Sequence, residues 1–500
     1  MNQEVTISSA IERKLILLLC CFAMFKVFLF SAGFPLFNPV DELQHTDTVI
    51  KYAKGYLPHK GESVEMNKWV ATMNMFYGSP EYLSAVPKEI EPMYRHINDP
   101  QFDTINIQLI ANHEIHSPPV YYFIAGLWCN LGKLMGLKEA KLLYWVRFLN
   151  CFVMGMLIWI SYQYCRYFFD EDITYCLGVP MMLASFPNDV FYSISSDVLS
   201  PLFSLLALHM LYLSCFRTKS ALFYSLTGLL AAMAVLVKLT NATIIVFLVL
   251  YICVVMCRRQ AHTDIQLYAK NFIIMMCSAL LPLALWVGWN WYALGDFTGD
   301  AYKMQVLGWS RKAFAAWFDH PLFSWDGLGQ TVGNLKQLIR TFWRGEVVAW
   351  KGTSIILPFG EMFYLVTTVL FVSTGITRLV VNRDNLRAKS SYPMFSAAVL
   401  LVLYVGLLLI LSVQFDFGKS YAPSSNNPYF NKGRLIIGCL VPFLTLYISG
   451  LDYLLKKLKL KIPTLGAVGC ICLITLALPI ATYIDLFQSK WNWFHLFFGV

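Results

Sequence analysis

Apolar runs of about 20 residues, the length an α-helix needs to cross a ~30 Å hydrocarbon layer, recur along this chain from Leu15 to Ile484. A water-soluble core has no room for so much hydrocarbon. Apolar residues make up 57% of the sequence and charged residues 14%, against roughly 25% charged in an average soluble domain. Secreted, disordered, fibrous and cytosolic classes are thereby excluded. Inside a bilayer every backbone polar group must be satisfied within the protein, which leaves helices or closed barrels, and runs this long specify helices. The sequence predicts an all-α polytopic membrane protein with about 11 transmembrane helices: Lys14–Gly33, Leu142–Cys165, Ile173–Phe186, Leu199–Phe216, Ala221–Val237, Thr240–Met256, Asn271–Trp291, Leu357–Ile376, Met394–Val413, Leu435–Gly450 and Leu465–Ile484. Ile173–Phe186 is short for a crossing.

Lys and Arg decide how these segments thread the membrane, because short cytoplasmic loops are enriched in both. Let Arg13 and Lys14 be cytoplasmic and let the apolar segment Pro118–Leu134 lie along the surface. Then Arg166, Arg217 with Lys219, Arg258 with Arg259, the Arg378–Lys389 cluster and Lys456, Lys457, Lys459 and Lys461 all fall on the cytoplasmic side. A crossing at Pro118–Leu134 would put every one of those groups outside. The expected arrangement is therefore eleven crossings, a cytoplasmic N-terminus, an uncleaved first span and a juxtamembrane helix at Pro118–Leu134. Three polar stretches then face outward: Pro35–Ser117, Gly295–Ile356 and Gln414–Arg434. Loops of this length usually carry function. The chain accordingly divides into a transmembrane core over 1–294 that includes the outer loop 35–117, an outer loop region over 295–356, and C-terminal transmembrane helices over 357–500. With the basic residues assigned to one membrane face, the net charge of +9 implies no nucleic-acid partner. The 13 Cys form neither a disulfide framework nor a zinc-type pair and read as small hydrophobes. No internal repeat is evident, which counts against an inverted-repeat transporter.

Ionisable residues beside the apolar runs on the outer side are the candidates for chemistry. Asp41 and Glu42, in Pro39-Val-Asp-Glu-Leu-Gln-His45, follow the first span directly. An adjacent acidic pair there suits a base of raised pKa or a metal ligand, and interfacial solvation would produce the same pattern. His116 opens His116-Ser-Pro-Pro-Val-Tyr-Tyr122, whose prolines also suit a helix start and whose tyrosines suit the interface. Asp189 reads as a turn residue or helix cap. Asp197 abuts an apolar run, where a carboxylate drawn to mid-bilayer would cost about 2.5–3.5 kcal/mol, so it is expected to face a polar interior. Lys238, at the turn between two spans, either snorkels or binds an anion. Arg340, Arg344 and Arg434 are outer-face cations under the same argument, and in Lys432-Gly-Arg434 the glycine permits close backbone approach.

In this order the residues resemble the GT-C glycosyltransferases, multi-span enzymes that take a sugar from a polyprenyl-phosphate carrier at the outer leaflet. The resemblance runs through Asp41-Glu42, His116-Ser-Pro-Pro-Val-Tyr-Tyr122 on a juxtamembrane helix, Arg147 early in the following span, Asp197 at the second outer loop and the turn Lys238-Leu-Thr240. Within that group the chain is most similar to a family of predicted bacterial membrane glycosyltransferases carried as a domain of unknown function. That family has a Trp-rich outer segment ending in Leu-Pro, like Thr341-Phe-Trp-Arg-Gly to Leu357-Pro358 here, and a late Gly-Arg, like Gly433-Arg434. The likeness extends from about Pro39 to Pro442. Lys432 stands where the family tends to have Gln, and Leu435 where it tends to have Tyr, which leaves the donor sugar open.

The resemblance implies glycosyl transfer, hexosyl or pentosyl, at the outer face of a bacterial inner membrane in cell-envelope polysaccharide biosynthesis. The donor would be a polyprenyl-phosphate sugar, the acceptor a hydroxyl on a lipid, glycan or protein, and membrane lipids would surround the carrier tail. Asp41 would accept the acceptor proton, with Glu42 orienting it or sharing a metal. Lys238, Arg434, Arg340, Arg344 and Arg147 would receive the charge growing on the departing phosphate, although Arg147 could equally pair with Asp197. His45, His116 and Asp197 are the candidates for substrate or divalent-metal contact; no cofactor is certain. Direct displacement would invert the anomeric centre. The alternatives are a non-enzymatic lipid or polysaccharide transporter, and a polysaccharide polymerase or ligase of another fold.

Overall fold

The computed structural model describes residues 9–59, 64–79, 81, 111–170, 172–218, 220–258, 262–346, 349–350, 353–354, 356–381, 389–418, 420 and 422–498. Lys219, Arg259, most of the Arg378–Lys389 cluster and residues 60–63, 80 and 82–110 of the polar stretch Pro35–Ser117 fall outside that description. Among the described residues the fold is helical, with only two short antiparallel strand pairs, Ser310–Arg311 with Phe415–Asp416 and Ala349–Trp350 with Thr353–Ser354.

Eight helical segments among the described residues are long and apolar enough to cross a bilayer: Ala10–Gly33, Glu139–Phe169, Ser196–Arg217, Gln266–Leu294, Pro358–Val381, Ser391–Gln414, Gly433–Lys457 and Thr464–Phe487. The other three expected crossings are shorter apolar helices, Ile173–Ser185, Ala221–Val237 and Leu239–Val254. Ile173–Ser185 breaks at Leu177 into Ile173–Cys176 and Gly178–Ser185, and nearly all of the second piece is buried. Its environment is protein rather than lipid, so it need not match the hydrocarbon thickness. Gly433–Lys457 is the axis of the bundle, with 94% of its apolar stretch buried, whereas Gln266–Leu294 is peripheral at 11%.

Two cations within the spans neutralise helix ends, where unpaired carbonyls carry partial negative charge. Lys26, on helix α1 (Ser9–Gly33), donates to the carbonyls of Ala184 at 3.3 Å and Phe186 at 2.6 Å, at the end of Gly178–Ser185. Arg147 donates to the carbonyls of Ser31 at 3.0 Å, Phe34 at 2.5 Å and Pro35 at 2.8 Å, where α1 itself ends.

The segments that follow these spans define one end of the bundle. Helix α2 (Glu42–Ala53) lies against α3 (Pro119–Leu134), where Asn130 Nδ2 donates to the carbonyl of Ala53 at 2.8 Å. The polar stretches 295–356 and 414–434 join through the strand pair and through side chains. His320 Nε2 meets the Pro428 carbonyl at 2.9 Å, and Asn334 bonds Asn427 at 2.7 Å and Asn431 at 2.6 Å. Helix α4 (Leu328–Arg344) runs from this cap into the bundle. There Trp343 stacks on Tyr364 with ring centroids 5.4 Å apart and donates to Thr368 at 2.8 Å, and Phe342 packs on Phe443.

Candidate active site

Asp41 precedes α2 in the left-handed backbone region, with φ 62°, a conformation Asp tolerates better than most residues. Its carboxylate does not cap its own helix. It accepts instead from Arg434 Nη2 at 2.5 Å. Arg434 Nε lies 3.0 Å from Glu346 Oε1 as an ion pair without hydrogen-bond alignment, and Lys432 Nζ lies 3.7 Å from the other Glu346 oxygen. One guanidinium therefore bridges two carboxylates.

Backbone packing sets this bridge. The Gly433 N–H donates to Thr341 Oγ1 at 2.8 Å, and a Cβ at 433 would overlap the Phe342 backbone, so the close approach expected of Gly433 is realised against α4. Glu346 is held by Asp189, whose Oδ2 accepts the Glu346 N–H at 2.8 Å, and Gly345 (φ 85°) leaves the space Asp189 fills. Asp189 is thus a tie between loops; the capping oxygen of its short helix comes from Asn188, which accepts from the Val190 N–H at 3.0 Å.

Two further ion pairs adjoin it. Asp197, fully buried, binds Lys238 and accepts from Ser195 Oγ at 3.2 Å. Glu114 binds Lys303. Between Glu114 and Asp41 stands His113, with Nε2 3.6 Å from Asp41 Oδ1 and 3.7 Å from Glu114 Oε1. Among the described residues, Asp41, His113 and Glu114 are the group whose ligand atoms converge, all within 4.8 Å of one another. Two carboxylate oxygens and one imidazole nitrogen form a donor set that a divalent cation of Mn²⁺ or Zn²⁺ type accepts. The set fits such an ion, with the qualification that Arg434 and Lys303 already contact its carboxylates.

The charges in the pocket hold one another ionised. Burial pushes the Asp41 carboxyl up, but Arg434, with His113 and His45, holds it well below the ordinary carboxylate range. Glu114 is treated alike: burial raises it, and Lys303 with His45 and His113 holds it far below. Burial lowers His45 to about 4, so it is a neutral imidazole at pH 7. Burial also lowers Lys238, against the pull of Asp197.

The residues expected from sequence divide four ways. Asp41, Arg434, Lys238 and Asp197 lie close enough to form two ion pairs that influence each other's charge. Glu42 and Arg147 form a separate closed pair at 1% and 0% exposure. The Glu42 carboxylate accepts from Arg147 Nε at 2.6 Å and Nη2 at 2.5 Å, from the Phe37 N–H at 2.8 Å and from the Ile194 N–H at 2.9 Å. That geometry turns Glu42 away from Asp41, and it pairs Arg147 with Glu42 rather than with Asp197 or a donor phosphate. Arg340 and Arg344 sit on Glu361, at 3.3 Å and 2.5 Å, just before the Gly345–Glu346 turn. His45 Nδ1 bonds the Tyr122 hydroxyl at 2.8 Å, and His116 packs edge-on against Tyr302; neither joins Asp197 in a ligand group.

His113, Glu114, Lys303 and Glu346 went unnoticed in the sequence. A signal existed for three of them. His113-Glu114 is an imidazole beside a carboxylate three residues before His116, and Lys303 is an outer-face cation by the rule that selected Lys238. Glu346 carried no such signal, because its role depends on a turn formed by Asp189.

No protein-family model matches the chain, and no curated protein matches it in sequence. Among solved structures, the oligosaccharyltransferase of Archaeoglobus fulgidus in complex with Zn and sulfate has a TM-score of 0.42 at 13% identity, over 94% of this chain and 53% of that one. The same organism's oligosaccharyltransferase AglB, in complex with an inhibitory peptide and a dolichol-phosphate, has 0.41 at 10%, over 95% and 56%. ArnT from Cupriavidus metallidurans bound to undecaprenyl phosphate has 0.36 at 12%, over 92% and 78%. The chain spans about half the length of the two oligosaccharyltransferase chains. A likeness this distant carries no functional argument.

Proposed function

We propose that this protein is a GT-C membrane glycosyltransferase of the bacterial family it resembles, moving a sugar from a polyprenyl-phosphate carrier to an acceptor hydroxyl. The observation that carries the reading is the pocket itself. Residues from separate segments converge at one end of an apolar bundle, and they comprise a proton-accepting carboxylate and cations able to meet a phosphate. The expected orientation makes this the outer face of the inner membrane, with the N-terminus inside.

In this reading Asp41 accepts the acceptor proton as the hydroxyl oxygen forms its bond to the anomeric carbon. The bond to the carrier phosphate breaks with its electron pair remaining on phosphate oxygen, and the anomeric configuration inverts. Against the effect of burial, Arg434 holds the Asp41 carboxyl low, the reverse of the raised pKa expected beside the first span; this keeps Asp41 ionised before the reaction but makes it a weaker base while that ion pair lasts. Arg434 and Lys238 stand where the growing phosphate charge needs fixed cations in a partly dry site. Guanidinium has five N–H donors, so Arg434 can keep a carboxylate while it meets an anion. Arg340 and Arg344 would support Arg434 by holding the Gly345–Glu346 turn through Glu361. Asp41, His113 and Glu114 would hold a divalent ion, which when bound supplies further positive charge near the reacting oxygens. Glu42 and Arg147 build the fold around Asp41.

The test is transfer from a radiolabelled polyprenyl-phosphate donor pool into lipid or polysaccharide, comparing wild-type membranes with Asp41→Asn at matched detergent-solubilised yield. Loss of transfer at normal yield supports Asp41 as the base. Unchanged transfer removes Asp41 from the mechanism, and a wild type inactive on every donor returns the transporter to first place.

A further inference from the structure

Lys303 lies on a helix unlike the others around the pocket. Asp300–Leu307 is eight residues long, has no buried residue, and is bounded by Gly299 and Gly308, both left-handed at φ 73° and 70°. Its ammonium reaches into the pocket to bind Glu114 Oε1. That oxygen is also the one 3.7 Å from His113 Nε2. Lys303 therefore occupies a corner of the donor set formed by Asp41, His113 and Glu114. Arg434 holds the opposite corner at Asp41 but is fixed from behind by Glu346 and the Gly433 packing. Lys303 has no comparable anchor: its side chain is 29% exposed, against 10% for Glu114.

We infer that Lys303 is an internal cation competing with a divalent ion for Glu114, so that ion binding expels the ammonium and frees the Asp300–Leu307 helix from the pocket. This rests on the reading of Asp41, His113 and Glu114 as cation ligands. An ion at ordinary ligand distance from Glu114 Oε1 and the Lys303 ammonium would stand a few ångströms apart. Like charges that close, in a partly desolvated site, repel far beyond thermal energy. The oxygen has lone pairs enough for both, so the repulsion rather than the acceptor count decides, and the less anchored partner leaves. Without an ion the ammonium neutralises Glu114, which would otherwise stand beside Asp41 as a second buried carboxylate with less compensation. The consequence is a coupling between ion occupancy and the position of the Asp300–Leu307 helix.

The experiment uses the purified full-length chain in detergent and Mn²⁺ as the probe. A water-soluble carbodiimide joins a lysine amine to a carboxylate in direct contact, and peptide mass spectrometry reads the product. The Lys303–Glu114 amide should form in chelator-treated protein and disappear at saturating Mn²⁺. Lys303→Met should bind Mn²⁺ about two- to fivefold more tightly than wild type, the size of one partly screened ion pair, and Lys303→Arg should bind it like wild type. A crosslink that persists at saturating Mn²⁺, or a Lys303→Met affinity no tighter than wild type, overturns the inference. If neither protein binds Mn²⁺ while the wild type transfers sugar, the inference fails and the glycosyltransferase reading stands. If Mn²⁺ displaces the crosslink but no donor is used, the competition holds and the catalytic reading fails.

Discussion

Replacing Glu42 with Gln separates a fold-building carboxylate from a reacting one. The Glu42 oxygens receive four donors, two from Arg147 and one each from the Phe37 and Ile194 backbone. Glutamine keeps one acceptor oxygen and turns the other position into an NH2 facing groups that themselves donate. Arg147 then stands fully buried without a counter-charge, its remaining partners being the Ser31, Phe34 and Pro35 carbonyls. Removing one member of a buried pair costs about 3–5 kcal/mol, a large part of the stability of a typical domain. Glu42→Gln should therefore lower both folded yield and the thermal unfolding midpoint in detergent. Asp41→Asn removes a pair whose carboxylate is 23% exposed and leaves Arg434 paired with Glu346, so it should lower both by clearly less than Glu42→Gln does. The double change Glu42→Leu with Arg147→Met should recover only part of the loss, because the three carbonyls at the end of α1 lose their donor. A Glu42→Gln protein of normal yield and midpoint that has lost transfer would falsify the structural assignment and return Glu42 to the chemistry.

Three other outcomes follow from the geometry. Gly433→Ala drives a Cβ into the Phe342 backbone and should cost about 1–3 kcal/mol as overpacking, with transfer reduced beyond the stability loss because Arg434 moves; an unchanged unfolding midpoint would show that α4 gives way freely. Arg434→Lys keeps the charge but cannot span Asp41 and Glu346 together, and turnover should fall about a hundredfold at near-normal yield; wild-type turnover would place the phosphate elsewhere. His45 sits at about 4 when folded against 6.5 ordinarily, so between those pH values the unfolded chain binds a proton the folded one does not. Stability should fall as pH drops from 6.5 towards 4, by about 3 kcal/mol at most, and His45→Gln should flatten that slope; a slope retained in the variant would assign it to other groups.

The apolar runs were legible because hydropathy is a property of the local segment: all eleven expected segments coincide with helices, and a further helix covers Pro119–Leu134. Asp41, Asp197, Lys238 and Arg434 were legible because an ionisable group beside an apolar run has few places to go. Partnership was not. Glu42 and Arg147 are separated by 105 residues, and nothing local distinguishes a carboxylate with four donors from one facing substrate. Arg340 and Arg344 look like phosphate ligands in sequence for the same reason, since their partner Glu361 lies across a turn in the next helix. The fault with His116 was one of phase: it stands beside a Pro-Pro helix start and drew notice, whereas His113 turns into the pocket.

The 393-residue separation of Asp41 from Arg434 has a consequence for biogenesis. At about 5–20 residues per second of synthesis, Arg434 leaves the ribosome roughly 20–80 seconds after Asp41. Throughout that interval a carboxylate beside the first inserted helix waits without its guanidinium, while most of the bundle is still being threaded. In the proposed reaction the nascent chain therefore cannot act until its late helices arrive, and any truncation upstream of Gly433 should transfer no sugar.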